Sequence, residues 1–175
     1  MKNRWLILSL MMLVAAAGAY AEGEKECPMP TPPPASKELE QIKSLEGRWV
    51  GTGMDKEKET VVEYRVTSGG TAVAETLGPG TAHEMISMYH DVNGKLSMTH
   101  YCMLGNQPEL ELVSATPEKL ELKESAASAV RLAGQMRMSS LAIERPDKDT
   151  LVQTWTAQDA QGKPDQPSIF KFKRT

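Results

Sequence analysis

From Arg48 to the C-terminus, apolar residues recur at every second position and turn residues interrupt them at roughly eight- to twelve-residue spacing, which constrains the fold more than any other feature. Val62, Tyr64 and Val66 alternate with Glu63 and Arg65, and Phe170 and Phe172 alternate with Lys171 and Lys173. Successive side chains of a strand point to opposite faces, so each of these segments has one face for a core and one for water. Ser68-Gly69-Gly70, Gly78-Pro79-Gly80 and Asn93-Gly94 supply tight turns. Ten strands are predicted, near 49–54, 60–67, 71–77, 83–91, 95–103, 109–115, 118–123, 137–145, 150–158 and 166–173. Sequential hairpins of about this number close most simply as an all-β, up-and-down antiparallel β-barrel of about 8–10 strands, which leaves no sheet edge exposed.

Upstream of the strands the pattern changes. Ser36 is placed to cap a short helix in which Leu39, Ile42 and Leu45 recur at three-residue spacing, with Gly47 just past its end. That helix is expected to close one end of the barrel. Residues 22–35 include Pro28, Pro30, Pro32, Pro33 and Pro34, a composition that favours extended polyproline structure and builds no core, so this stretch reads as a linker. Before it, Lys2 and Arg4 precede an apolar run from Trp5 to Ala17 and a small-residue site, Ala19-Tyr20-Ala21. This is the make-up of a secretory signal peptide, with the cut expected after Ala21 and the periplasm as destination. The charged Glu24-Lys25-Glu26 before Cys27 is unlike a lipoprotein cleavage site, so no lipid anchor is expected. The expected organisation is signal peptide 1–21, Pro-rich linker 22–35 and barrel domain 36–175.

Loss of the leader removes two basic residues and no acid, leaving a formal charge of −5 on 154 residues. With no Lys/Arg cluster, the electrostatic footprint of nucleic-acid binding is missing. No later segment approaches the roughly 20 apolar residues of a spanning helix, so no transmembrane segment is expected after signal removal. A chain of this size supports one core, burying roughly 70 % of the surface its unfolded form exposes. Lys123 to Gln135 is alanine-rich without strict alternation, and reads as a short helix or a long loop. A disulfide between Cys27 and Cys102 would pin the tail to the barrel; otherwise Cys102 is a small buried hydrophobe.

Leu45-Glu46-Gly47-Arg48-Trp49-Val50-Gly51 resembles the G-x-W opening of the lipocalin and calycin barrels. In those barrels a short helix precedes the first strand, the tryptophan closes the floor, and a basic residue of the last strand packs over it. The resemblance implies that part for Lys171, Lys173 or Arg174, through a cation–π contact. Ser68-Gly69-Gly70, Glu75-Thr76-Leu77, Pro79-Gly80-Thr81, His83-Glu84-Met85, Tyr89-His90, Thr99-His100-Tyr101-Cys102 and Gly105-Asn106-Gln107-Pro108 are similar to a family of exported bacterial proteins of unknown function with a calycin-like barrel. What this implies is fold and export. The nitrobindins, which are haem-binding barrels, also open with G-x-W-x-G. Their axial histidine lies near the C-terminus, whereas this chain has none after His100.

Ala82 to Pro108 holds all three histidines and one of the two cysteines. A three-residue loop, Val92-Asn93-Gly94, would pair Asp91 with Lys95, His90 with Leu96, Met88 with Met98, Ile86 with His100 and Glu84 with Cys102. This register is expected because it puts Ile86, Met88, Leu96 and Met98 on one face, whereas a one-residue slip would turn one strand's apolar set to water. The inner face would then also carry Glu84, His90, His100 and Cys102, with His83 outside. His90 and His100 would stand about 13 Å apart at ~3.3 Å per residue, too far to share a metal. Glu84, His100 and Cys102 would lie within diagonal cross-strand reach, and Glu75 would join them if it faces inward between Val73 and Leu77.

Three uses of that cluster stay open on the sequence: a satisfied polar network in the barrel wall, a pocket orienting a small molecule, and a metal or catalytic site built on His100 and Cys102. HExxH, CxxC and GxSxG patterns are absent. Methionines are spread over the strands and read first as core filler, although thioether binding of copper is chemically accessible to them. The expected function is an exported barrel that binds a small, largely apolar ligand in its open end, lined by Glu84, His90, His100, Cys102, Tyr64 and Trp155. No cofactor and no catalytic residue is named by the sequence, and the alternative is a ligand-free envelope barrel acting through its surface.

Overall fold

The alternating segments form ten antiparallel strands joined in chain order: β1 (Gly47–Thr52), β2 (Glu59–Thr67), β3 (Ala72–Leu77), β4 (Met85–Val92), β5 (Lys95–Tyr101), β6 (Glu109–Ala115), β7 (Lys119–Glu124), β8 (Arg137–Asp147), β9 (Thr150–Gln158) and β10 (Ser168–Arg174). Each pairs with its sequence neighbours, and β1 also pairs with β10, closing the sheet as an up-and-down barrel. The computed structural model describes residues 31–53 and 58–175; the segment expected to be a signal peptide, most of the expected Pro-rich linker and Cys27 lie outside the described residues. Among the described residues no helix is long and apolar enough to cross a membrane.

The closing seam depends on a residue without a side chain. A Cβ on Gly51 would lie 1.8 Å from the backbone oxygen of Lys171, so β1 and β10 meet there only because nothing projects between them. Across the barrel the two-residue turn Asn93-Gly94 has both residues at positive φ, 53° and 77°, the geometry that matches the right-handed twist of the flanking strands.

One end of the barrel is closed by α1 (Lys37–Lys43). The Ser36 side chain accepts from the Leu39 N–H at 3.0 Å as the N-cap, while the Ser36 N–H and hydroxyl both donate to Asp91 at 2.7 Å, docking the helix on β4. Leu39, Ile42 and Leu45 are buried against the barrel floor, as their spacing predicts. There the fully buried Trp49 donates from its indole nitrogen to the Leu45 carbonyl at 2.8 Å. Arg174 lies 4.1 Å over the Trp49 ring and donates to the carbonyls of Glu46 and Ser44 at 2.8 and 3.0 Å. Of the three basic candidates it alone reaches the ring, because Lys171 and Lys173 alternate to the outside between Phe170 and Phe172.

Every strand contributes to one buried apolar cluster, from Trp49 on β1 through Tyr89 on β4 and Leu141 on β8 to Phe172 on β10. The segment after β7 contains a one-and-a-half-turn helix, α2 (Ala126–Arg131), capped by Ser125. Its base is fastened by a buried ion pair in which Arg137 Nε donates to Glu124 Oε1 at 2.6 Å, with Arg137 Nη1 donating to the carbonyls of Leu132 and Gln135.

Candidate functional site

The hairpin expected to carry the site forms, in a different register. β4 and β5 are joined by the two-residue turn, so Val92 faces Lys95, Tyr89 faces Met98, Ser87 faces His100 and Ile86 faces Tyr101. The inner face of β5 is as expected, with Leu96, Met98, His100 and Cys102 buried, but β4 is turned over by one residue. Ser87 and Tyr89 point inward, and Ile86 is 39 % exposed on the outer face. The apolar pattern of Ile86 and Met88 loses because Ser87 and Tyr89 have polar partners inside, namely His100 and Glu75. Unmade, those hydrogen bonds would leave buried groups at about 1–3 kcal/mol each, comparable with what burying one aliphatic side chain gains.

Two expected lining residues therefore leave the interior. Glu84 is exposed on the loop before β4, its carboxylate accepting from the Gly80 N–H at 2.6 Å. His90 is half-buried on the outer face, its Nδ1 3.4 Å from the Met88 carbonyl oxygen. His83 is exposed, as expected. His100, Cys102, Tyr64 and Trp155 are all buried, and Glu75 faces inward between Val73 and Leu77.

Register alone lines up the interior polar groups. Tyr64 faces Glu75, Glu75 faces Ser87 and Ser87 faces His100, giving a lateral row across β2, β3, β4 and β5. From the opposite wall, β9 meets it with Gln153 and Trp155. Gln153 Nε2 donates to the Tyr64 hydroxyl at 2.6 Å and to Glu75 Oε2 at 3.0 Å, Tyr89 donates to the same Glu75 oxygen at 2.7 Å, and Trp155 Nε1 donates to Gln153 Oε1 at 3.1 Å. These contacts cross the lumen, so the barrel is bridged at this level. Burial raises the Glu75 carboxyl above the ordinary range, against the pull of its phenol and amide partners. Tyr64 and Tyr89 are pushed well up by burial and then by the neighbouring Glu75 charge, which keeps both phenols protonated as donors.

At the end of the row, the His100 ring lies 4.7 Å from the Trp155 ring, centroid to centroid, a second bridge across the lumen. His100 Nδ1 is 3.0 Å from the Ser87 hydroxyl. Its Nε2, on the far side of the ring, is buried and has no hydrogen-bond partner among the described residues. Burial lowers the His100 pKa from 6.5 to about 4, so the ring is neutral at pH 7. One step toward the end opposite α1 comes a second row. Leu77 faces Met85, the hairpin register continued one step sets Met85 opposite Cys102, and the Cys102 N–H donates to the Asn106 carbonyl at 3.1 Å. Asn106 is 5 % exposed; its Nδ2 donates to the Met136 carbonyl at 2.9 Å, while its Oδ1 is buried and unpartnered among the described residues.

Burial raises the Cys102 thiol, whereas the N–H groups of Leu104 and Met103 face the sulfur and favour its thiolate. The described residues contain no group of three or more His, Cys, Asp or Glu able to hold a metal. Ser87, Tyr89, Gln153 and Asn106 were not among the residues read as lining from sequence. Asn106 was the most accessible of them, since residues 98, 100, 102, 106, 108 and 110 keep one inward parity through the β5–β6 hairpin. Comparison with protein-family models and with curated proteins gives no match.

Proposed function

We propose that the protein is an exported, calycin-like binding barrel whose mouth is the end opposite α1, where it takes a small ligand at the wall formed by His100, Cys102 and Asn106. Support for the calycin-like reading is the helix before β1 and the Arg174 guanidinium over Trp49. The observation that carries the binding reading is the pair of unpartnered buried atoms, His100 Nε2 and Asn106 Oδ1, on residues of one inward parity set diagonally across the β5–β6 hairpin. A buried polar atom left unpaired costs about 1–3 kcal/mol, and two on one wall are accounted for by an occupant that pairs with them. The interior below is crossed by the His100–Trp155 contact and the Glu75–Gln153 bond, which favours a ligand on the side of them away from α1, near Met85 and Leu77. The Tyr64–Glu75–Tyr89–Gln153 group, whose hydrogen bonds are made, serves as wall.

Native mass spectrometry of the protein purified from its own source tests this. The expected result is a discrete added mass that is lost in His100→Ala and Asn106→Ala variants with unchanged far-ultraviolet circular dichroism. Bare protein, together with a His100→Leu variant more stable than wild type, would mean that the unpartnered atoms are simply a cost of folding. A second reading, a barrel working through its surface, is favoured by Met103, Leu104, Val130 and Met136, which are exposed on the β5–β6 turn and on the α2 segment, tied together by Asn106 and Arg131. A bare mass with a partner protein lost on Leu104→Ser and Val130→Ser substitution would select it.

A further inference from the structure

The wall proposed to bind the ligand carries a donor set with a chemistry of its own. Cys102 shares the inward parity of both residues that carry an unpartnered atom, with His100 two residues back on the same chain and Asn106 paired with it across the hairpin. Met85, half-buried against the core, is the residue the β4–β5 register sets opposite it. Facing positions of an antiparallel pair have Cβ atoms about 4.5–5.5 Å apart, and residues two apart on one strand about 6–7 Å, so thiol, thioether and imidazole share one small patch. Wall carboxylates are not part of that patch, since Glu75 is held by Tyr89 and Gln153 and Glu84 lies on the exposed loop.

We infer that His100, Cys102 and Met85 form a three-coordinate site for a monovalent copper ion. This rests on the mouth wall being a binding site and names the occupant that takes up His100 Nε2, with Asn106 Oδ1 outside its coordination set. Thiolate, thioether and imidazole together are soft to borderline donors that select Cu(I) over hard oxygen-seeking cations. On binding, the Cys102 thiol gives its proton to solvent and forms the metal–sulfur bond, with no change in the oxidation state of either partner. The backbone N–H groups of Leu104 and Met103 hold the resulting charge on sulfur, as they face it already. His100 supplies Nε2, the nitrogen left free by the Ser87 contact, and that contact at Nδ1 fixes the orientation of the ring, as a hydrogen bond to the other ring nitrogen does in metal-bound histidines. An ion also suits a lumen bridged just below, where a bulky organic molecule finds less room.

The test is anaerobic titration of the full chain with Cu(I) against a chromophoric copper(I) chelator such as bicinchoninate, in a Cys27→Ser background so that Cys102 is the sole thiol. One equivalent is expected to be withdrawn from the chelator, with an X-ray absorption signature of two sulfurs and one nitrogen. Cys102→Ser should weaken binding at least 100-fold and Met85→Leu about 10-fold, with melting temperatures measured on each to exclude unfolding. No withdrawal of copper, a Cys102→Ser variant that binds like its parent, or preference for Zn²⁺ overturns the inference. If copper fails while native mass spectrometry still finds an organic molecule lost in Asn106→Ala, the binding reading stands and the metal does not. If both fail, the mouth is not a binding site.

Discussion

At the residue scale, the decisive groups are titratable side chains enclosed without an opposite charge. His100 is held neutral by burial, with a pKa of about 4 against 6.5 in the unfolded chain. Above pH 6.5 neither state binds the proton and His100 contributes nothing to pH dependence. As pH falls below that, the unfolded chain takes up the proton while the folded one does not, so stability declines until about pH 4. The full decline is about 3 kcal/mol at ~1.4 kcal/mol per unit. Chemical denaturation of metal-free protein between pH 7 and pH 4, wild type against His100→Gln, should show the difference as a slope that the variant lacks. Parallel curves would mean the ring titrates normally. Glu75 acts in the opposite sense: its raised folded pKa costs stability above that pKa, a cost that vanishes as pH falls toward the unfolded value. Glu75→Gln should therefore compare more favourably with wild type at pH 8 than at pH 5, and an equal effect at both would show that the carboxyl is not perturbed.

At the scale of elements, the closure of the sheet rests on β1 and β10. Gly51→Ala places a methyl group where the Lys171 carbonyl oxygen stands, and backbone cannot yield as a flexible side chain does. The variant is expected to lose several kcal/mol, with amide exchange accelerated first in β1 and β10; a melting temperature within a few degrees of wild type would show that the seam can shift. Strand positions were legible from alternation to within a few residues, as was α1 from its cap and apolar spacing, because both periodicities are local. The β4–β5 register was not. Ile86-Ser87-Met88-Tyr89 gives each face of β4 two candidates, and the choice was made by partners elsewhere, with Glu75 on β3 for Tyr89 and His100 on β5 for Ser87. A two-residue Asn93-Gly94 turn was the local signal pointing to the observed register, and it was outweighed by hydropathy. The same flip moved Glu84 and His90 out of the candidate site.

For the whole molecule, the contacts that define the interior join residues far apart in the chain, Glu75 with Gln153 and His100 with Trp155, across a lumen that no periodicity describes. That is why the barrel could be read from sequence while the contacts that bridge its interior could not. Trp155 is central to that bridging, being fully buried, in tilted ring contact with His100 and bonded to Gln153. Trp155→Ala removes the upper bridge and leaves a cavity, at a cost of about 3–5 kcal/mol. A small apolar probe such as benzene, followed by NMR, is expected to be excluded by wild type and admitted by the variant, since cavities walled mainly by apolar groups stay dry enough to take it. Copper(I) binding should survive in any folded fraction, because none of the three proposed ligands is deleted. Benzene entering the wild-type lumen would instead show that the His100–Trp155 contact is an open gate, returning the ligand site from the mouth to the barrel's interior.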